Sequence, residues 1–369
     1  MFRDLELRLD ITNSCNLHCI MCHWYYDGNS SHAMSLDEFK QATAGILKRV
    51  NVLFLSWTAE PLLNKELPAI IAYARRSKVP CITLVTNLTM LTEETADAFV
   101  NNGLHRINVS IDAAGPQLYA VIRQRDRFAK VIENVRRIQE LKKKRHSRFP
   151  IIALNTVLLK MNIDQLKPLI DLCTTLDITE LNCSTISIPK RYDDRHARFE
   201  FKGLPPQFNL HDEMIDLTDH SVKKTLVSAI QYAQSKGIGF TIANRFDLLS
   251  KRGIPKRIEM ARFAIRKMGH FPFRSIVHSG LSYAKNFFWA RRVFCSYPWR
   301  QLVVTAKGDV GPCCVANETL SLGKMSDAPL ANIWNGAAIK KIRDQLSHNS
   351  PPELCRSCVR GRSKTRHGF

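Results

Sequence analysis

Leu5-Glu6-Leu7-Arg8-Leu9-Asp10-Ile11-Thr12-Asn13-Ser14-Cys15-Asn16-Leu17-His18-Cys19-Ile20-Met21-Cys22 joins an alternating segment to three closely spaced cysteines. From Leu5 to Ile11 apolar and charged residues alternate, the two-residue period of a strand. The C-x3-C-x2-C run follows directly. Three thiolates this close can hold three corners of a cubane iron–sulfur cluster. A complete [4Fe–4S] site takes four Cys, so one iron is left open to bind and activate a ligand. A zinc site or three unrelated buried cysteines are the alternatives. Structural zinc prefers four ligands, in pairs such as C-x2-C, and no second pair lies nearby.

Outward from this stretch, strand and helix signals alternate over the first 190 residues. Ser35-Leu36-Asp37-Glu38 has the spacing of a capping box and opens a helix. Strands are expected at Val52–Ser56, Cys81–Thr86, Ile107–Ile111, Ile151–Leu159 and Glu180–Ile186. Helices are expected from Asn64 to Ser77, from Thr92 to Asn101, through a long segment ending in Lys142-Lys143-Lys144-Arg145, and from Asn162. This repetition implies a parallel sheet, open or closed into a barrel. Ligands of such sheets bind at the C-terminal strand ends. Cys15, Cys19 and Cys22 follow the first strand, Glu60 the second, Asn87 the third and Asp112 the fourth, so the candidate residues share one rim. Further on, Ser221–Lys236 reads as a helix closed by Gly237, and Phe240–Ala243 as a strand.

Composition sets the outer bounds. A length of 369 residues predicts two or three domains, and 45% hydrophobic residues supply a sizeable core. The start of the chain lacks the apolar core of a signal peptide, and no apolar run reaches a membrane-spanning length. The expected location is the cytoplasm, with peripheral attachment to the inner membrane surface as an option. Eleven cysteines in a reducing compartment point to metal or redox work rather than disulfides. The net charge of +21 implies an anionic partner. Much of it falls in Lys251–Arg300, where twelve Lys or Arg and one acid, Glu259, are interleaved with aromatics. Within that stretch Met260–Lys267 reads as an amphipathic helix suited to an anionic surface or to a bridge between domains.

The cysteine spacing and its setting resemble the radical S-adenosylmethionine (SAM) superfamily, in which SAM chelates the open iron. The resemblance extends along the rim. Thr58-Ala59-Glu60-Pro61 is similar to the family's Gly-Gly-Glu-Pro, whose backbone and Glu hold the SAM amino group; both glycines are replaced. Thr86-Asn87-Leu88 is similar to its Thr-Asn-Gly, and Ser110-Ile111-Asp112 to its Ser-Ile-Asp. By this resemblance Thr58, Ala59, Glu60, Asn87, Ser110 and Asp112 belong to the SAM pocket. Arg123, in Tyr119-Ala120-Val121-Ile122-Arg123, is expected to pair with the SAM carboxylate. Asn155 on the fifth strand is a further candidate for the cavity.

Cys295, Cys313, Cys355 and Cys358 form a second group, C-x17-C…C-x2-C, with Gly308 and Cys313 in G-x4-C spacing on an expected hairpin. With Leu322-Gly323 and Ile333-Trp334-Asn335, this region resembles the SPASM domain of radical SAM enzymes. Its four-Cys layout is similar to the shortened "twitch" form with one auxiliary [4Fe–4S] cluster. The spacing alone also suits tetrahedral zinc. Cys314 competes with Cys313 as a ligand. Cys81, Cys173 and Cys183 read as small buried hydrophobes.

The expected architecture is α/β: a partial (β/α)6 TIM-like barrel at 1–190, a basic bridging region at 191–290 and a small α+β SPASM/twitch-like iron–sulfur domain at 291–369. The resemblance implies reductive cleavage of SAM to a 5′-deoxyadenosyl radical that abstracts hydrogen from substrate, with electrons from a flavodoxin- or ferredoxin-type donor. Oxidation or cross-linking of a sugar or cyclitol, a lipid-linked molecule or a peptide is the expected outcome; no single catalytic residue stands out. A non-catalytic iron–sulfur electron carrier and an RNA-modifying radical SAM protein are the competing readings. No RNA-binding module signature is present, which weighs against a nucleic-acid partner.

Overall fold

The computed structural model describes residues 3–22, 31–56, 58–186, 200–243, 295–305, 307–314, 320–348 and 350–357. Residue contacts divide the chain into two units: Met1–Phe246 with Gln301–Trp334, and Asp247–Arg300 with Asn335–Phe369.

The first unit is built on seven parallel strands in chain order: β1 (Leu5–Leu9), β2 (Val50–Phe54), β3 (Cys81–Thr86), β4 (Arg106–Ser110), β5 (Ile151–Leu158), β6 (Glu180–Thr185) and β7 (Gly239–Ala243). Helices α1 (Leu36–Thr43), α2 (Leu67–Arg76), α3 (Glu93–Asn101), α4 (Pro116–Arg123), α5 (Phe128–Lys144), α6 (Leu166–Thr175) and α7 (His220–Ser235) connect them. This is the partial (β/α)6 barrel with one extra strand. On its other side β1 pairs in parallel with β8 (Gln301–Val304), which turns through Gly308 (φ +80°) into β9 (Asp309–Gly311) and then β10 (Gly323–Lys324). Among the described residues the sheet has two edges, β10 and β7, and does not close.

The alternation in β1 sorts its side chains onto two faces. Leu5, Leu7 and Leu9 are completely buried, as are Leu53, Leu84, Ile107, Val109 and Leu181 on neighbouring strands. The amphipathic helices supply the facing layer, including Ile70, Phe99, Val135 and Leu169. The opposite face is polar and half-exposed. There Arg8 pairs with Glu6 and lies over the Phe54 ring, and Arg106 pairs with Glu180.

Local signals explain most element ends. Ser35 and Glu38 form the capping box of α1, and Thr92 caps α3. Two expected helix starts are corrected. Helix α2 begins at Leu67 with Glu66 as its N-cap; Asn64 stands just before it, its Oδ1 accepting from Glu66 N while its Nδ2 donates to Ile11 O and Met34 O. The segment from Asn162 begins as a 3-10 turn (Lys160–Gln165), and α6 starts at Leu166. Asn162, fully buried, ties Asp112 O on the β4 side to Val157 O in β5. Cys173 and Cys183 are buried as expected, whereas Cys81 is only half-buried.

In the second unit, α9 (Ala337–Ser347) buries Ile339, Ile342 and Leu346, and Arg343 Nε donates to Pro298 O at 3.0 Å. The short helix α10 (Glu353–Ser357) carries Cys355, and Cys295 belongs to the same unit. The short helix α8 (Leu330–Trp334) belongs to the first unit. Among the described residues no helix is long and apolar enough to cross a membrane. The basic helix expected at 260–267 and most of the bridge at 191–290 lie outside the described residues.

Candidate active site at the strand ends

The cysteine loop is fastened at both ends. At its base Asn13 N donates to His32 O, His32 N donates to Asn13 Oδ1, and Met34 N donates to Ile11 O. Farther along, Leu17 and Ile20 are buried, and Ile20 N donates to Ile122 O at 3.0 Å. Met21 packs on the apolar cluster of Ile20, Ile122, Leu159 and Leu210. Cys22 N closes a turn on Cys19 O. Burial raises the Cys15 thiol to about 12, with Cys19 and Cys22 adding to it, and the Cys19 thiol to about 11, against the pull of the Arg123 charge. Metal ligation requires thiolates, so binding iron here must release protons. Among the described residues no three Cys, His, Asp or Glu side chains converge on a point suited to one ion. A cubane takes one thiolate per iron and spreads its ligands more widely than a single ion does.

The segment after β2 is bound to this loop, since Glu60 N donates to Ser14 O at 3.0 Å. Thr58, at the first replaced glycine, donates its backbone N–H to Asp10 Oδ1 (3.1 Å) and its hydroxyl to Asp10 Oδ2 (2.7 Å). Asp10 is buried at the end of β1, and its own N–H donates to Val304 O of β8. The Thr58 side chain thus has a defined partner. Glu60 is 2% exposed. Its carboxylate accepts from Leu62 N (3.1 Å), Thr86 Oγ1 (2.5 Å) and Asn87 N (2.7 Å). It both caps the 3-10 turn Pro61–Leu63 and joins the ends of β2 and β3. Burial outweighs these bonds and raises its pKa to about 7. A cation brought beside it would restore the carboxylate.

After β3, Asn87 Nδ2 donates to Asn16 Oδ1 (2.9 Å), and Asn16 Nδ2 donates to Thr89 Oγ1 (2.8 Å), tying this loop to the cysteine run. Leu88, where the family pattern has glycine, keeps a left-handed backbone (φ +59°) while its side chain is fully buried. Asn134 Nδ2 holds Leu88 O at 2.7 Å. Asn134 lies on the buried stripe of α5 beside Val131 and Val135. A polar residue on an apolar stripe was the available signal for this contact.

After β4, Asp112 is completely buried, and its Oδ1 accepts from Val157 N (2.8 Å). Its Oδ2 lies 2.6 Å from Arg123 Nε as an ion pair, without hydrogen-bond alignment of the N–H. Arg123 Nη1 donates to Cys19 Sγ at 3.5 Å. Burial works against the guanidinium, but the adjacent Asp112 carboxylate outweighs it and keeps Arg123 cationic. The side chain expected at the SAM carboxylate is therefore turned toward Asp112 and a cluster cysteine. Asn155 lies farther round, opposite Ser110 on β4 and Asn182 on β6.

Cys15, Cys19, Cys22, Thr58, Glu60, Asn87, Asp112 and Arg123 thus lie on one rim, with Ala59 in the chain between Thr58 and Glu60, while Ser110 and Asn155 lie on β4 and β5 below it. Asn16, Asp10, Thr86 and Asn134 join them without having been singled out. In the second group Cys295 and Cys355 share a unit, Cys313 follows β9 in the other, and Cys358 lies outside the described residues. Next to Cys313, Cys314 N donates to Gln301 Oε1.

The donor set fits an iron–sulfur cluster with a polar co-ligand. Among the described residues the buried Tyr119 Oη has no hydrogen-bond partner, and Tyr119, like Asp112 and Arg123, interacts electrostatically with Cys19. Unsatisfied buried groups are costly unless something meets them.

Comparison with known proteins agrees. Residues 9–173 match the family model of the Radical SAM superfamily, and residues 295–359 match that of an iron–sulfur cluster-binding domain, SPASM. A protein of Methanocaldococcus jannaschii named "Probable GTP 3′,8-cyclase" is 30% identical over 173 residues, 46% of this chain and 54% of that protein. The chain spans about half the length of such curated relatives. Streptococcus suis SuiB bound to S-adenosylmethionine superposes with a TM-score of 0.64 at 13% identity, covering 96% of this chain and 70% of SuiB. SuiB has also been solved with its precursor peptide SuiA. Native anSMEcpe with bound AdoMet and Cp18Cys peptide gives a TM-score of 0.57 at 16% identity, covering 96% of this chain and 86% of that one. Residues 9–173 thus carry a Radical SAM superfamily domain, whose cofactors are a [4Fe–4S] cluster and SAM, and residues 295–359 a SPASM iron–sulfur cluster-binding domain.

Proposed function

We propose that this chain is a radical SAM enzyme that abstracts hydrogen from a peptide and completes an oxidation or cross-link through an auxiliary cluster. The observation that carries the first part is the direct bonding of the cysteine loop to the ends of β2, β3 and α4 through Ser14, Asn16, Ile20 and Cys19. Cys15, Cys19 and Cys22 hold the cluster, which when reduced supplies the electron that splits SAM into methionine and a 5′-deoxyadenosyl radical. Glu60 would accept a hydrogen bond from the SAM amino group as a carboxylate, its proton being released to solvent. Thr58 and Ala59 offer backbone to the same group, and Asn87, Ser110, Asp112 and Asn155 shape the rest of the pocket. Cys295, Cys313, Cys355 and Cys358 would hold the auxiliary cluster; four thiolates would leave it no open iron and suit it to electron transfer.

Two observations support a peptide substrate. One is the fold shared over nearly the whole chain with two peptide-bound relatives. The other is a row of neutral hydrogen-bonding side chains in register across four strands: Ser110, Asn155, Asn182 and Thr241. Thr241 Oγ1 donates to Asn182 Oδ1 (2.6 Å), and Asn182 Nδ2 donates to Asn155 Oδ1 (3.1 Å). Asn155 Nδ2 is left to donate to a substrate carbonyl.

The test is anaerobic reconstitution followed by dithionite and SAM. About eight irons per chain and 5′-deoxyadenosine are expected, with Cys19→Ala retaining about four irons and forming none of the nucleoside. Zinc in place of iron, or iron with no SAM cleavage under any substrate, refutes the reading. Stimulation of 5′-deoxyadenosine formation by GTP but by no peptide refutes the peptide assignment alone.

A further inference from the structure

Arg123 and Asp112 form a buried, oppositely charged pair whose cationic end rests on one cluster ligand. Asp112 is 0% and Arg123 8% exposed, the two side chains lie 2.6 Å apart, and Arg123 Nη1 donates to Cys19 Sγ. The pair is held from several directions. Val157 N fixes Asp112 Oδ1, Asn162 holds the Asp112 backbone carbonyl, and Ile20 N binds Ile122 O beside Arg123. The backbone of α4 is thereby tied to the cysteine loop next to Arg123, and the guanidinium itself is held by Asp112 and Cys19.

Cluster potentials respond to hydrogen bonds on the sulfurs, to nearby charge and to burial. An N–H donated to a ligating sulfur and a cation close to it both favour the reduced, more negative cluster. A carboxylate has the opposite effect. With both groups shielded from water, neither influence is strongly screened.

We infer that the Asp112–Arg123 pair sets the reduction potential of the SAM-binding cluster through Cys19, Arg123 raising the potential and Asp112 lowering it. Arg123 is then a positioning and tuning residue in the SAM-free protein. The inference rests on the reading of Cys15, Cys19 and Cys22 as cluster ligands.

The decisive measurement is an EPR-monitored redox titration of the reconstituted full chain. The SAM-site cluster is identified as the one whose signal changes when SAM is added. Arg123→Gln is expected to disfavour reduction at least tenfold, a fall of 59 mV for a one-electron couple. Asp112→Asn is expected to favour it by a similar factor. Arg123→Lys, which keeps the charge but loses the planar fork, is expected to fall between wild type and Arg123→Gln. If Arg123→Gln fails to load iron, the opposite shifts of Arg123→Lys and Asp112→Asn still decide the matter. Shifts below twofold, or of the same sign in Arg and Asp variants with full iron content, overturn the inference. Wild-type chain that binds no iron at Cys15, Cys19 and Cys22 instead overturns the functional reading on which it rests.

Discussion

Glu60→Gln should change the pH dependence of stability in a direction opposite to the usual behaviour of a carboxylate. Glu60 accepts three hydrogen bonds, which favour the ionised form, yet burial dominates and raises its pKa from 4.5 to about 7. The folded, SAM-free chain thus holds a proton that the unfolded chain has already lost between those pH values. Native protein binds more protons there, so stability falls as pH rises. The benefit is fully present below pH 4.5 and lost by about pH 7. At 1.36 kcal/mol per unit the total is about 3 kcal/mol, of which about 2.5 kcal/mol falls between pH 5 and 8. Glutamine preserves the shape but cannot titrate, and the mismatch of its NH2 with Asn87 N–H is independent of pH. The stability gap between wild type and Glu60→Gln should therefore narrow by about 2.5 kcal/mol from pH 5 to pH 8. Urea unfolding of the cluster-free chains under anaerobic conditions measures it. A gap constant to within about 0.5 kcal/mol would refute the argument that desolvation governs this side chain. The functional corollary is that SAM affinity rises with pH up to about 7 in wild type but not in Glu60→Gln.

Two further outcomes test the positions where the family's glycines are missing. Leu88→Gly should be more stable than Leu88→Ala by about 1 kcal/mol, the reverse of the ordinary order, because both lose the buried side chain but only glycine accepts φ +59° freely; thermal unfolding of the two variants decides. Thr58→Val should cost about 2 kcal/mol and weaken SAM binding in calorimetry, whereas Thr58→Ser, which keeps the hydroxyl on Asp10, should behave like wild type; equal affinities for all three would show that the Asp10 contact does not shape the pocket.

Features governed by short-range chemistry were legible from the chain. The alternation of Leu5–Ile11, the capping box at Ser35 and the spacing of Cys15, Cys19 and Cys22 all depend on residues within one element. Chain order along a parallel sheet then carries Glu60, Asn87 and Asp112 to the same rim, since every strand of such a sheet ends on the same side. Pairings between distant residues were not legible. Gln301 donates to Glu6 across 295 positions, and β8 extends the barrel sheet beyond β1; a short apolar strand carries no mark of which edge it will join. Arg123 could be placed near the site by its motif, but its choice of Asp112 and Cys19 depends on where α4 packs. Leu88 could be seen to replace a glycine, but not to retain the glycine's backbone, because burial of its side chain and the Asn134 bond come from other elements. The sequence alone determined the repeating architecture and the chemical groups brought to the rim; only tertiary packing decided how charge and hydrogen bonds are distributed among them, since burial and partner distance exist only once the strands and helices have assembled.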